Sequence, residues 1–222
     1  MATQALKKSK IAGVTDANHD DDHHDHHHKA DSTDIFGFWL YIMTDCVLFG
    51  SLFATYAVLY HMNMGNFMPH IASYADVLKP HLDLHYALLE TFFLLGSNFT
   101  FGMAIINMYK DRLWKIKFWL LITFILGAGF VSMEVNEFIN LYHEGISWRT
   151  NGAVSSFFVL VGTHGLHVSI GLIWILMMIV QLFIFKITPV MKRRLTYLGL
   201  FWNFLEIVWI FVLTIVYFMG VM

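Results

Sequence analysis

Five apolar stretches, roughly 35–60, 84–109, 116–141, 153–185 and 196–220, each exceed the ~20 residues that a helix needs to cross the hydrocarbon layer. A helix satisfies its own backbone hydrogen bonds where lipid offers none, so these stretches dictate the fold class. It is all-α: an integral membrane bundle of five transmembrane helices over residues 35–222, behind a polar tail over 1–34 that is expected to be disordered. With 57% hydrophobic and 14% charged residues, the composition departs from the soluble average in the same direction. The three prolines, Pro69, Pro80 and Pro189, fall between the stretches, where they break no helix. The fourth stretch, helical throughout, would be ~48 Å long, so it should tilt or project. There is no internal repeat, and an odd number of spans does not fit the inverted-repeat plan of many transporters.

The tail carries six histidines (His19, His23, His24, His26, His27 and His28) among seven aspartates, with almost nothing apolar to order them. Such a tract has the ligands to bind zinc or copper weakly. Its polarity argues against a cleaved secretory signal and leaves the first apolar run as the anchor. Basic residues set the orientation. Lys7, Lys8, Lys10 and Lys29, then Lys110, Arg112, Lys115 and Lys117, then Lys186, Lys192, Arg193 and Arg194 fall on one side; only Lys79 and Arg149 fall on the other. The positive-inside rule therefore places the N-terminus in the cytoplasm and the C-terminus outside. A lone cysteine, Cys46, excludes an internal disulfide and any cysteine metal site, and a net charge of −2 argues against a nucleic-acid partner.

Phe157–Gly171 holds two histidines inside an apolar run with small residues between them. At 100° per residue Gly162, Gly165 and Ser169 share one helix face, suited to close approach of a neighbouring backbone, while His164 and His167 lie opposite. Carboxylates at Asp45, Glu90, Glu134, Glu137 and Glu206 lie within spans that carry no basic residue well inside them, so each must be protonated, paired or wet. Two roles fit each acid: a proton-accessible site, or a hydrogen bonder between helices. Glu134 and Glu137 are one turn apart at the outer end of the third span, at the depth of His164, so a hydrogen bond from one of them to His164 or His167 is expected. Trp202, Glu206 and Trp209 share a face of the fifth span, an acid between two indoles.

These groups exclude several chemistries. Haem needs axial ligands facing each other from two helices, and only the fourth span has histidines in mid-membrane. There is no G-x-S-x-G nucleophile motif, and no broken helix of the kind transporters use. A subunit of a larger membrane complex remains.

The chain resembles subunit III of the haem-copper oxidases. The resemblance rests on Phe36–Asp45, on Gly127–Phe138 with Glu134 and Glu137, on Val161–Val168 with His164 and His167, and on Phe201–Trp209 through Gly220. The five-helix form with a His-rich tail is similar to the bacterial cytochrome-o-type ubiquinol oxidases. The resemblance implies a subunit of the inner membrane with no cofactor, metal or catalytic residue of its own. It implies packing against the catalytic subunit I, which carries haem and copper, contact with other oxidase subunits, phospholipid held in a cleft, and support of proton uptake. Asp45 stands where the family usually has a buried Glu, and Asn203 and Glu206 stand where relatives usually have His and Asp. A cytochrome c oxidase subunit III and, from another class, a small proton-coupled transporter are the alternatives.

Overall fold

The computed structural model describes residues 35–61, 84–146, 152–184 and 187–218, all but short connections being helical. The His-rich tail and its metal-binding expectation lie outside the described residues. The helices are α1 (Ile35–His61), α2 (Leu84–Tyr109), α3 (Leu113–His143), α4 (Gly152–Ile184) and α5 (Pro189–Val212), the last continued by a π-helical turn over Leu213–Phe218. All five are long and apolar enough to span a membrane. Residues up to Asp45 and from Cys46 onward form two compact units.

The fifth helix begins earlier than the hydropathy suggested, at Pro189 instead of 196. Thr188 is an extended N-cap whose hydroxyl accepts from the Met191 amide at 3.3 Å, and Pro189 occupies the first turn, where its missing N–H costs nothing. Lys192, Arg193 and Arg194 are therefore helical. Pro189 lies inside a helix, at the one place that tolerates it. The third helix likewise outruns its apolar core, from Leu113 to His143.

Both ends of α3 adjoin tight turns. After α2, Asp111 takes φ +52°, with its amide bonded to the Met108 carbonyl and the Arg112 amide to Asn107. After α3, Gly145 does the same at φ +81°, with Gly145 bonded to Tyr142 and Ile146 to Leu141. Each is a Schellman-type stop that satisfies the last carbonyls, and a three-residue turn forces α2 and α3 antiparallel. The exposed carboxylate of Asp111 also pairs with Lys192 at 2.7 Å, linking this turn to the start of α5.

Within the second unit α2 packs on α3 and α5, and α4 packs on the same two helices, closing a four-helix ring with antiparallel neighbours. The buried row of α2 is Ala87, Glu90, Leu94, Ser97, Phe101, Ala104 and Met108; that of α3 is Ile116, Leu120, Thr123, Gly127, Phe130, Glu134 and Leu141. Both step by three and four, apart from the seven from Glu134 to Leu141 across half-buried Glu137, the seam of knobs-into-holes packing. Thr100 and Thr123 share a hydrogen bond of 2.8 Å across it, and the Tyr86 hydroxyl donates to the Met133 carbonyl at 3.1 Å. Together they fix the register so that Glu90 faces α3 at the level of Glu134. From Cys46 on, α1 meets the ring through Phe49, which touches His164, His167 and Phe204, and through Phe53 against Phe211.

Candidate functional site

The polar interior is built on the face of α5 that carries Trp202, Glu206 and Trp209. All three groups reach α2. The Trp202 indole N–H donates to Ser97 Oγ at 3.1 Å, the Trp209 indole N–H donates to Thr91 Oγ1 at 3.1 Å, and between them Asn98 donates its amide to Glu206. Each hydroxyl is used twice, because Ser97 in turn donates to the Leu94 carbonyl and Thr91 to the Ala87 carbonyl. Hydrogen bonds of this kind contribute ~0.6–2 kcal/mol each in a bilayer, and three at different heights lock the register of α5 on α2.

Trp202 fills the centre of the ring in a slot made by two glycines. A Cβ on Gly171 would stand 2.9 Å from its ring, and one on Gly127 would stand 3.1 Å from it and 2.8 Å from Leu172. These two glycines admit an indole where any side chain would collide. Gly165 behaves in the same way: the space its side chain would need is taken by the Glu134 carboxyl group, whose Cδ lies 2.9 Å from that position. Gly162 on the same face is in ordinary contact with Phe138, and the Ser169 hydroxyl turns back to the Gly165 carbonyl at 2.8 Å.

His164 is fully buried in an aromatic cage. Trp209 stacks on it at 5.3 Å, Phe130 meets it edge-on at 6.0 Å, Phe49 does so at 6.4 Å, and Phe130 packs on Trp209 at 4.8 Å. Neither ring nitrogen makes a hydrogen bond among the described residues. The expected bond from Glu134 or Glu137 to His164 or His167 is therefore not made at His164 among the described residues. The imidazole meets Trp209 on α5, while the Glu134 carboxyl lies over Gly165. His167 is half-buried, with Nδ1 2.7 Å from the Thr163 carbonyl of its own helix and its ring 5.2 Å from Phe49.

The acids divide into three settings. Glu206 is held by Asn98. Glu90 and Glu134 are buried, and both Glu90 oxygens and Glu134 Oε1 lack a hydrogen bond among the described residues; with half-buried Glu137 they lie within electrostatic reach of one another. Asp45 is buried on α1, one turn from Tyr41. Among the described residues no three His, Cys, Asp or Glu side chains are grouped to hold a metal ion.

This geometry is that of a packed helix ring, and the comparisons with known proteins say which one. The family described as cytochrome c oxidase subunit III matches residues 4–221. The chain belongs to that family. Among subunit III relatives, cytochrome bo(3) ubiquinol oxidase subunit 3 of Pseudomonas putida is 47% identical over 188 residues, covering 85% of this chain and 86% of its own. The protein of the same description from Pseudomonas aeruginosa is 45% identical over 220 residues, 99% of both chains. Quinol oxidase subunit 3 of Bacillus spizizenii is 42% identical over 186 residues, 84% of this chain and 87% of its own.

In this subunit III the sequence reading missed the α2 partners Thr91, Ser97 and Asn98 and the cage residues Phe49 and Phe130. A signal for the first group was present. Ser97 follows Glu90 by seven residues and Asn98 follows Thr91 by seven, two heptad-spaced polar pairs in an apolar span. Nothing marked Phe49 and Phe130 among 21 phenylalanines.

Proposed function

We propose that this subunit III serves a proton-pumping ubiquinol oxidase of the bacterial inner membrane, stabilising the haem- and copper-bearing catalytic subunit I and supporting proton uptake without performing chemistry. The observation that carries the stabilising role is the set of polar pairs that joins α5 to α2: Ser97, Thr91 and Asn98 are spent on Trp202, Trp209 and Glu206. The one fully buried imidazole among the described residues, His164, is packed by Trp209, Phe130 and Phe49, an environment that suits a structural ring and not an axial ligand. The reading further has the N-terminus cytoplasmic, the C-terminus periplasmic and phospholipid held against the subunit.

Oxygen consumption by the purified complex, driven by ubiquinol but not by reduced cytochrome c, tests the substrate. A complex stripped of this subunit is expected to begin at near-normal turnover and then inactivate. Asp45→Asn should keep most of the initial rate; a tenfold cut with assembly intact, ~1.4 kcal/mol of barrier, would instead make Asp45 an obligatory relay. The isolated chain should show no Soret band, and the appearance of one would contradict the absence of haem in this subunit.

A further inference from the structure

A groove of about 600 Å³ runs along the outer side of α2 and α5, lined by Phe92, Gly96, Asn98, Phe99, Gly102 and Asn203 among others. Its floor is low because a Cβ on Gly102 would meet nothing within 4 Å and one on Gly96 only Leu126 at 3.6 Å. Its rim is Phe92 and Phe99, seven residues apart and 68% and 64% exposed. Neither feature alone specifies an occupant. Asn203 does, because it is exposed on this surface and makes no hydrogen bond among the described residues. It stands nine residues after Arg194, the last basic residue of α5, and 13 before Val216, so ~14 Å of helix separates it from the charged end of the span and ~20 Å from the other end. A carboxamide brings two donors and an acceptor, and hydrocarbon satisfies none of them. Phospholipid headgroups stay at the interface, and acyl chains have nothing to offer. The lining runs from Phe92 to Ile105, ~20 Å along α2, with ridges at heptad spacing and glycine gaps between them, the relief that receives another helix.

We propose that this groove seats a transmembrane helix of another oxidase subunit, which places a hydrogen-bonding side chain against Asn203. The assignment rests on the reading of this chain as an oxidase subunit.

The test is photocrosslinking in native membranes, with p-benzoylphenylalanine replacing Phe99 in the full complex. Ultraviolet light is expected to join this chain to a second, different oxidase polypeptide, identified by mass spectrometry. Asn203→Leu, which keeps the size and removes the polar groups, should lower the adduct yield at least threefold, and Asn203→Gln should restore most of it. Adducts only to lipid, to a quinone or to a second copy of this chain, while oxidase subunits copurify, would overturn the helix assignment alone. Failure of any oxidase subunit to copurify would overturn the oxidase reading and this assignment with it.

Discussion

Trp202→Ala is expected to release subunit III from its complex at a temperature well below that of the unchanged protein. The side chain is 1% exposed, lies between Gly127 and Gly171, and donates to Ser97. Its removal takes away the contacts of a fully buried indole and leaves a cavity that glycines on either side cannot fill, a loss of ~3–5 kcal/mol. The same change strips Ser97 of its indole partner. Trp202→Phe keeps most of the packing and gives up the N–H, so it should cost only ~1–2 kcal/mol. The fraction of the chain that stays with the detergent-solubilised complex, measured against temperature, separates the two. Equal retention of Trp202→Ala and wild type would mean that the slot does not hold the ring together.

The spans were legible because hydrocarbon sets a length that apolar runs must meet, whereas their ends were not, because caps are set by single residues. Thr188 and Pro189 start α5 seven residues before its apolar core, and Lys192 to Arg194 concealed that turn from a hydropathy reading. The face carrying Trp202, Glu206 and Trp209 follows from helical periodicity alone. What it meets does not, since periodicity orients a helix about its own axis and leaves open which neighbour stands there. The same gap explains His164 and Glu134. Counting residues from the membrane surface put them at one depth, and only the azimuth of α4 decides that the imidazole meets Trp209 and the carboxyl meets Gly165.

That contact between Glu134 and Gly165 supplies the other large effect. A side chain at position 165 must begin where the Glu134 carboxyl now lies, its Cβ 2.9 Å from Glu134 Cδ and 3.2 Å from Oε1. Gly165→Leu therefore forces a choice. Either α3 and α4 separate, losing packing on both, or Glu134 leaves its buried seat and carries a polar group into lipid, and overpacking of this kind costs ~1–3 kcal/mol before the carboxyl is counted. Marked loss of the subunit from the complex on mild heating is the expected result. The collision is with a side chain and not with backbone, so it is reversible by design: Glu134→Ala vacates the space, and the double variant should be more stable than Gly165→Leu alone by ~0.5–3 kcal/mol of coupling. Retention in the complex reads the packing, and the initial rate of oxygen reduction reads the chemistry. If Glu134 only packs, the rescued double variant turns over at the unchanged initial rate. An initial rate cut tenfold in a variant that stays assembled would make Glu134 a proton carrier, and failure of Glu134→Ala to rescue would show that the Gly165 seat is not what joins α3 to α4.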